Sequence, residues 1–235
     1  SVSLNAHGGK IGATDGIDVT TGTLAINTTG NQSAKVIDST GFALAASSVG
    51  TSSLSLTAGG NVTQTGAMTA GSLAVSNTAG TTNFATQANQ IDSLGTIAAS
   101  GQAFSLKNGK DLSQSGVITA DTFSLINQGG KTDLGSQTNM IANLGTIDST
   151  GGDFTLNNKG AALKVGSIDA TGKAIAIDTG NIAITLGNGA TVAASSLGLT
   201  AKGVSQDAGG VTLNAVTTID GGSAAVTLAD ANNQF

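Results

Sequence analysis

The chain has 235 residues, of which 35 are Gly, 39% are hydrophobic and only 10% are charged, and it contains no Pro, Cys, Trp or Tyr. Its formal net charge of −5 comes from nine Lys and fourteen Asp, without any Arg or Glu. This composition excludes disulfides, thiolate metal sites and the clustered Lys and Arg of a nucleic-acid surface. Low charge with substantial apolar content excludes disorder, and the absence of Glu and Arg disfavours helices, so we predict an all-β chain.

Pairs of apolar residues separated by one residue recur along the whole chain and predict half-buried strands, because side chains alternate between the two faces of a strand. The pairs start at intervals that alternate in the middle of the chain, with a short step from position 54 to 73 and a long one from 73 to 104. Short strands with Gly- and Asn-rich corners at this spacing predict a parallel β-helix, a β-solenoid rod of about ten coils of 19–31 residues with a mean near 25. The ten pairs are Val2/Leu4, Leu24/Ile26, Leu54/Leu56, Leu73/Val75, Phe104/Leu106, Phe123/Leu125, Phe154/Leu156, Ile175/Ile177, Leu197/Leu199 and Val226/Leu228.

Residues 59–108 and 109–158 form a duplication of 50 residues that aligns without a gap. The alternating intervals predict that each copy contains two coils, one short and one with an additional loop or strand. We interpret residues 1–235 as a single β-helical repeat segment that belongs to a longer chain, since the pattern has no polar capping coil at either end. Identical positions in the two copies include Gln64/Gln114, Gly66/Gly116, Asn77/Asn127, Asn89/Asn139, Leu94/Leu144 and Phe104/Phe154.

The coil pattern also predicts which side chains face inward. We expect the apolar pairs to stack in rows along the axis, and Phe104→Asp to unfold the neighbouring coils. Equivalent asparagines near the turns are expected to stack as side-chain amide ladders; these are Asn27, Asn77, Asn108, Asn127 and Asn158. The glycine pairs at the corners are expected to supply positive φ angles; these are Gly129-Gly130, Gly151-Gly152 and Gly221-Gly222.

Catalytic residues are scarce. The single histidine, His7, lies in a Gly-rich stretch without a repeat counterpart, and we interpret it as a solvated side chain. Paired carboxylates are the alternative, because many parallel β-helix proteins act on polysaccharides and glycoside hydrolysis needs two nearby carboxyl groups. The candidate pairs are Asp148 with Asp153 and Asp15 with Asp18, and Asp169 is expected to stack on Asp148. Turn formation also favours Asp at corners, so we predict no catalytic residues.

Binding motifs for metals and phosphates are also absent. The segment Gly8–Gly16 approaches the calcium-binding nonapeptide of β-rolls but does not repeat. No Gly-rich stretch ends in the Gly-Lys-Ser/Thr of a phosphate loop. The glycosylation sequons at Asn27, Asn31 and Asn61 are expected by chance in a chain this rich in Ser and Thr. We therefore predict no cofactor and no metal site.

Threonine-rich stretches raise the alternative of an ice-binding or crystal-binding face. Such a face needs a Thr-x-Thr motif at the same register of nearly every coil, whereas the equivalents of Thr63 and Thr65 in the second copy are Ser113 and Ser115. β-propensity alone enriches Thr in strands. The stretches are Thr20–Thr23, Thr63–Thr65, Thr81-Thr82 and Thr217-Thr218.

The phrases GNVTQTGAMTAGSLAVSN, LGTIAASGQAFSLKN and DLSQSGVITADTFSLIN resemble the central shaft repeats of filamentous haemagglutinin-like exoproteins. These are large secreted bacterial adhesins, many of them exported by two-partner secretion, and the resemblance covers essentially the whole chain. It implies a right-handed β-helix, in agreement with the general handedness of parallel crossovers. Their secretion domain carries Asn-Pro motifs, which a chain without Pro lacks.

The resemblance implies a structural role. We expect a stiff shaft or spacer of a secreted, cell-surface bacterial adhesin or extracellular filament, with neighbouring coils of the same or adjacent chains as partners through end-to-end or lateral contacts. Host or surface glycans would bind through other regions, and we expect neither a nucleic-acid partner nor a membrane span. The alternative is a carbohydrate-binding or ice-binding face, and a polysaccharide-active enzyme is the third possibility.

Overall fold

The computed structural model describes residues 1–235, and all of its regular structure is β-strand, joined by turns and bends. The chain forms no helix that could cross a membrane. The strands are β1 (Val2–His7), β2 (Ile17–Val19), β3 (Thr23–Thr29), β4 (Ala34–Asp38), β5 (Ala43–Leu44), β6 (Ser47–Ser48), β7 (Ser53–Ala58), β8 (Thr63–Gln64), β9 (Met68–Ser76), β10 (Thr82–Asn108), β11 (Ser113–Gln114), β12 (Ile118–Asn127), β13 (Thr132–Leu134), β14 (Met140–Asp148), β15 (Phe154–Asn157), β16 (Leu163–Val165), β17 (Ile168–Asp178), β18 (Ile184–Leu186), β19 (Thr191–Thr200), β20 (Val204–Gln206) and β21 (Thr212–Asp220).

Strand pairing shows how the chain winds. In the coil that begins at β15, three consecutive segments are β15, β16 and the first half of β17. The next coil places the second half of β17 on β15, β18 on β16 and β19 on the first half of β17, all in parallel register. The chain is therefore a parallel β-solenoid, as the sequence predicts, and its strands stack in three columns.

The coils are shorter than the mean interval between the apolar pairs indicates. Leu54 stacks on Leu73 in a short turn and Ile168 stacks on Val192 in a longer one, and the whole chain makes about ten turns of about 21 residues. The difference arises because several coils place a polar residue at an inward position, so that an apolar-only pattern omits them. Three such pairs are Thr82/Phe84, Leu112/Gln114 and Thr132/Leu134.

The duplication does not correspond to two coils. Two turns of about 21 residues leave about eight residues of the 50, which is about one side of a three-sided coil. Phe104 stacks on Phe123 and then on Leu144 in one column, whereas its duplicate Phe154 stacks between Thr132 and Ile175 in another. Equivalent residues of the two copies therefore lie two coils apart and on different sides of the rod. The longer intervals between apolar pairs are one coil plus one side, rather than a coil with an inserted loop.

The core is a continuous cluster of 50 buried residues along the axis. Eight of the ten predicted apolar pairs are buried in it, and the exceptions are the first and last pairs, Val2/Leu4 and Val226/Leu228. Phe104 contacts Phe84 edge to face at a centroid distance of 6.3 Å and stacks on Phe123 at 6.0 Å. Burying one large apolar side chain contributes about 1.5–3 kcal/mol, so the rows account for the stability of the stack.

The predicted role of the corner glycines is largely wrong. Of the six residues, only Gly222 has a positive φ, of 57°. Gly129 and Gly130 instead allow close approach between coils, because a Cβ on Gly129 would overlap the carbonyl oxygen of Gly109. These glycines are needed because backbones of successive coils touch at the corners, where no side chain fits between them.

Candidate functional site

Asp148 and Asp169 are neighbours in the stack, as predicted, and their Cα atoms are register partners. Each carboxylate Oδ1 accepts hydrogen bonds from the backbone N–H and the hydroxyl of the threonine two residues later, Thr150 and Thr171. Asp38 makes the same bonds with Thr40. This Asp-x-Thr arrangement closes a corner of the coil, so local turn chemistry accounts for the recurrence of these aspartates.

The proposed carboxylate pairs do not share a cavity. Asp153 accepts a hydrogen bond from the backbone N–H of Ala174 at 2.9 Å and lines none of the surface depressions. Asp18 lines a shallow depression of about 240 Å³ that Asp15 does not reach. The two aspartates that do line one depression, of about 350 Å³, are Asp148 and Asp169.

His7 ends the first strand with its side chain exposed, and its register partner is Thr29. No group of three or more metal-ligating side chains is present in the chain. The calcium-like segment Gly8–Gly16 places only Ile11 in the core and leaves Asp15 at the surface.

The threonine stretches do not form one continuous row. Thr23 and Thr63 occupy the same column, but Ala43 lies between them. Thr82 turns inward, is 1% exposed and accepts a hydrogen bond from Asn77 Nδ2. A row of serines is more regular, because Ser53, Ser72, Ser93 and Ser113 are successive register partners.

Pairs of side-chain amides, each formed by a glutamine and an asparagine, make contacts in the interior. The sequence pattern did not predict these contacts. Gln64 donates through Nε2 to Asn89 Oδ1, and Gln114 donates in the same way to Asn139. Each asparagine Oδ1 also accepts a backbone N–H of the coil below, from Met68 at 2.8 Å or from Ile118 at 2.9 Å. The pairs therefore bind successive coils together from the inside.

A third amide pair recurs at the C-terminal end. Gln206 donates to Asn233 Oδ1 at 3.0 Å, Asn233 donates back at 2.8 Å, and Asn233 Oδ1 accepts the N–H of Val211. The sequence signal was a Gln followed by an Asn 25 residues later in both copies of the duplication, and 27 residues later at the end. The predicted asparagine ladders are wrong in this respect, because four of the five asparagines bond to backbone and hydroxyl groups and none of the five bonds to another.

Asp38 is the one buried carboxylate, at 1% exposure. Its burial raises the pKa, but hydrogen bonds from Thr40 and from the backbone N–H of Thr21 outweigh burial, so the net pKa lies below the ordinary value of 3.8. Those donors stabilise the ionised form. The carboxylate therefore serves as an acceptor that joins two coils rather than as a proton donor.

The C-terminal end of the stack is open. A hollow of about 330 Å³ is lined mainly by apolar side chains, among them Leu213, Ile219 and Phe235. Val216 is 75% exposed and Phe235 is 76% exposed. Strands at this end have unpaired edges, which are able to pair with further parallel strands.

Comparison with known proteins gives one partial match. A family model described as repeats of unknown function (DUF5649) matches residues 172–235, which comprise most of β17 and the coils after it. No curated protein and no solved structure matches the chain. The match agrees with a repeat β-helical protein, and the stacked register shows the same coil geometry on both sides of residue 172.

Proposed function

We propose that the chain is a stiff spacer, the shaft segment of a secreted, cell-surface bacterial adhesin or extracellular filament. The observation that supports this role is the parallel ladder, in which strand pairing and apolar rows join the coils along the chain and three amide pairs reinforce it. With about 4.8 Å per coil, about ten coils make a rod of about 48 Å. The resemblance to haemagglutinin-like shaft repeats is the reason for placing the rod on a bacterial surface.

The proposed mechanism is mechanical. A rod of this kind holds whatever is attached to its far end at a fixed distance, since strand pairing and a continuous core join each coil to its neighbours. We propose that its partners are other β-helical coils, in the same or an adjacent chain, at the unpaired strand edges of the open ends. The role requires no catalytic residue, cofactor or metal.

The duplication permits a direct test of this function. In the test, the chain is fused on a cell surface between a membrane anchor and a binding tag, and residues 109–158 are deleted. Because Asn108 and Asn158 are equivalent positions of the two copies, the deletion removes one whole copy and preserves the repeat pattern at the junction. We expect the tag to move about 11 Å closer to the cell for a loss of about 2.4 coils. The distance is measurable by fluorescence transfer from a membrane dye.

A matched control keeps the length but changes the surface. Residues 109–158 are replaced by a second copy of residues 59–108, which alters exposed residues at many positions. A spacer gives the original tag distance in this variant. If the isolated chain instead binds glycans or ice crystals, and the replacement abolishes that binding, the spacer role is wrong and the binding-face alternative is correct.

A further inference from the structure

Two Asn-Gly dipeptides occur in the chain, Asn108-Gly109 and Asn188-Gly189. Asparagine followed by glycine is the sequence in which the next backbone nitrogen most easily reaches the side-chain amide carbon, because glycine has no side chain to hinder the approach. The two sites lie in opposite environments, and this contrast carries the inference.

Asn188-Gly189 is an exposed turn between β18 and β19. Both residues are exposed, Gly189 has a φ of 65°, and nothing lies within 4 Å of the position its Cβ would occupy. The turn is closed by a single bond from the N–H of Ala190 to the carbonyl of Gly187 at 3.0 Å. Neither the N–H of Gly189 nor the side chain of Asn188 makes a hydrogen bond.

Asn108-Gly109 is held on every side. Asn108 is 2% exposed, its Oδ1 accepts the N–H of Ile91 at 2.9 Å, and its Nδ2 donates to the carbonyls of Ile91 and Lys110. The N–H of Gly109 donates to the carbonyl of Asn89 at 2.9 Å. Both reacting groups are therefore engaged, and attack would require this corner to open first.

We propose that Asn188 is a site of spontaneous modification, at which the chain deamidates without an enzyme. The backbone nitrogen of Gly189 forms a bond to Cγ of Asn188, and the bond from Cγ to Nδ2 breaks. Ammonia leaves with the proton from the Gly189 nitrogen, and the product is a five-membered imide. Water then opens either imide carbonyl, which gives an aspartyl or an isoaspartyl residue at position 188.

The product changes the contact between two coils. Asn188 Oδ1 lies against Gly209, so closely that a Cβ on that glycine would overlap it, and the N–H of Gly209 donates to Asp230. Deamidation places a second carboxylate near Asp230 and adds one negative charge to the net −5. Like charges repel, so the modification weakens the attachment of the last coil.

The test is peptide mapping by mass spectrometry of the intact folded chain, incubated at mildly alkaline pH and 37 °C. We expect Asn188 to convert to aspartyl and isoaspartyl products at least about 100-fold faster than Asn108, since opening at Asn108 would break several buried hydrogen bonds. In denaturant both sites are expected to convert at similar rates. The Asn188→Gln variant, whose imide ring would be larger, is expected to remain unmodified at this position.

Two results would overturn the proposal. One is an unmodified Asn188 in the folded chain under conditions in which the denatured chain converts at both sites. The other is conversion of Asn188 and Asn108 at equal rates in the folded chain, which would mean that the structure confers no selectivity.

Discussion

The middle coils and the C-terminal coils use the same elements with different neighbours. Around Phe104 every inward side chain is covered from below and above, and its exposure is 0%. At the C-terminal end, Val226 is 46% exposed although it continues the column of Val204. The pattern of apolar pairs in the sequence is the same in both regions. The difference shows that burial in a solenoid comes from the neighbouring coil rather than from the coil's own sequence.

The amide pairs show the same dependence of burial on position for polar groups. Asn89 and Asn139 are fully buried, whereas Asn233 is only partly buried although it makes the corresponding bonds. A hydrogen bond contributes more where its loss would leave a partner without water. We therefore expect identical substitutions to differ in effect between the middle and the end of the rod.

The largest difference in stability between a middle and an end position is expected when a charged residue replaces an apolar one. Phe104→Asp buries an uncompensated carboxylate between Phe84 and Phe123. We expect the free energy of unfolding to fall by more than about 4 kcal/mol and the middle coils to unfold. Val216→Asp at the exposed end is expected to change stability by less than about 0.5 kcal/mol. Urea unfolding followed by circular dichroism measures both.

Ser105→Asp is the matched control in the middle, because Ser105 lies next to Phe104 on the outward face of β10. It is expected to fold normally. Normal β-sheet circular dichroism and melting of Phe104→Asp would contradict the inward assignment. Sedimentation of Val216→Asp tests the open end as well, since a charge there is expected to reduce any end-to-end association of the rods.

The parts of the fold that depend on local alternation were predictable. Phe104/Leu106 and Ile175/Ile177 are visible because two apolar residues at a spacing of two are sufficient to indicate a strand face. Coil length was not predictable in this way, because it depends on which strands stack across about 21 residues. Thr132 and Gln114 occupy inward positions, yet as polar residues they appear outward in a binary pattern.

The polar interior was hidden for a related reason. Asn139 is recognisable as a repeated residue from the duplication, but its role depends on Gln114 in the coil below and on the N–H of Ile118. Equal spacing of Gln and Asn in both copies indicates a contact only once the coil length is known. The surface aspartates were placed correctly at corners, since the Asp-x-Thr turn is local.

An intermediate difference in stability between a middle and an end position is expected when an asparagine of an amide pair is replaced. Asn139→Ala removes the acceptor of Ile118 and the partner of Gln114. It also removes the side-chain donor to the carbonyls of Leu134 and Asn157, of which Asn157 keeps the backbone N–H of residue 139. We expect the free energy of unfolding to fall by about 3 kcal/mol or more for Asn139→Ala, and by about 1 kcal/mol for Asn233→Ala. Urea midpoints measure both, with Asn214→Ala, an exposed asparagine, as the neutral control. Equal losses at positions 139 and 233 would contradict the dependence on burial.

The smallest difference is expected between two aspartates, and it depends on pH. Asp38 is buried and Asp230 is only partly buried, yet hydrogen bonds lower the pKa of both below 3.8; the donors are Thr40 and Thr21 for Asp38, and Asn232 and Gly209 for Asp230. A carboxyl with a lower pKa in the folded state stabilises the fold above its unfolded value of 3.8, and this contribution disappears as the pH falls through the folded pKa.

We therefore expect Asp38→Asn to destabilise the chain by about 1–3 kcal/mol at pH 7 and by progressively less as the pH falls below 3.8. Asp230→Asn is expected to have a smaller effect at pH 7, because water reaches this partly buried site and replaces the lost hydrogen bonds. Melting curves of the two variants and the wild type between pH 7 and pH 2 make the comparison, and the other aspartates cancel in the differences. A destabilisation at position 38 that persists unchanged in acid would mean that Asn fails there for reasons of packing rather than charge, and the buried carboxylate of Asp38 would then add nothing that the partly buried carboxylate of Asp230 lacks.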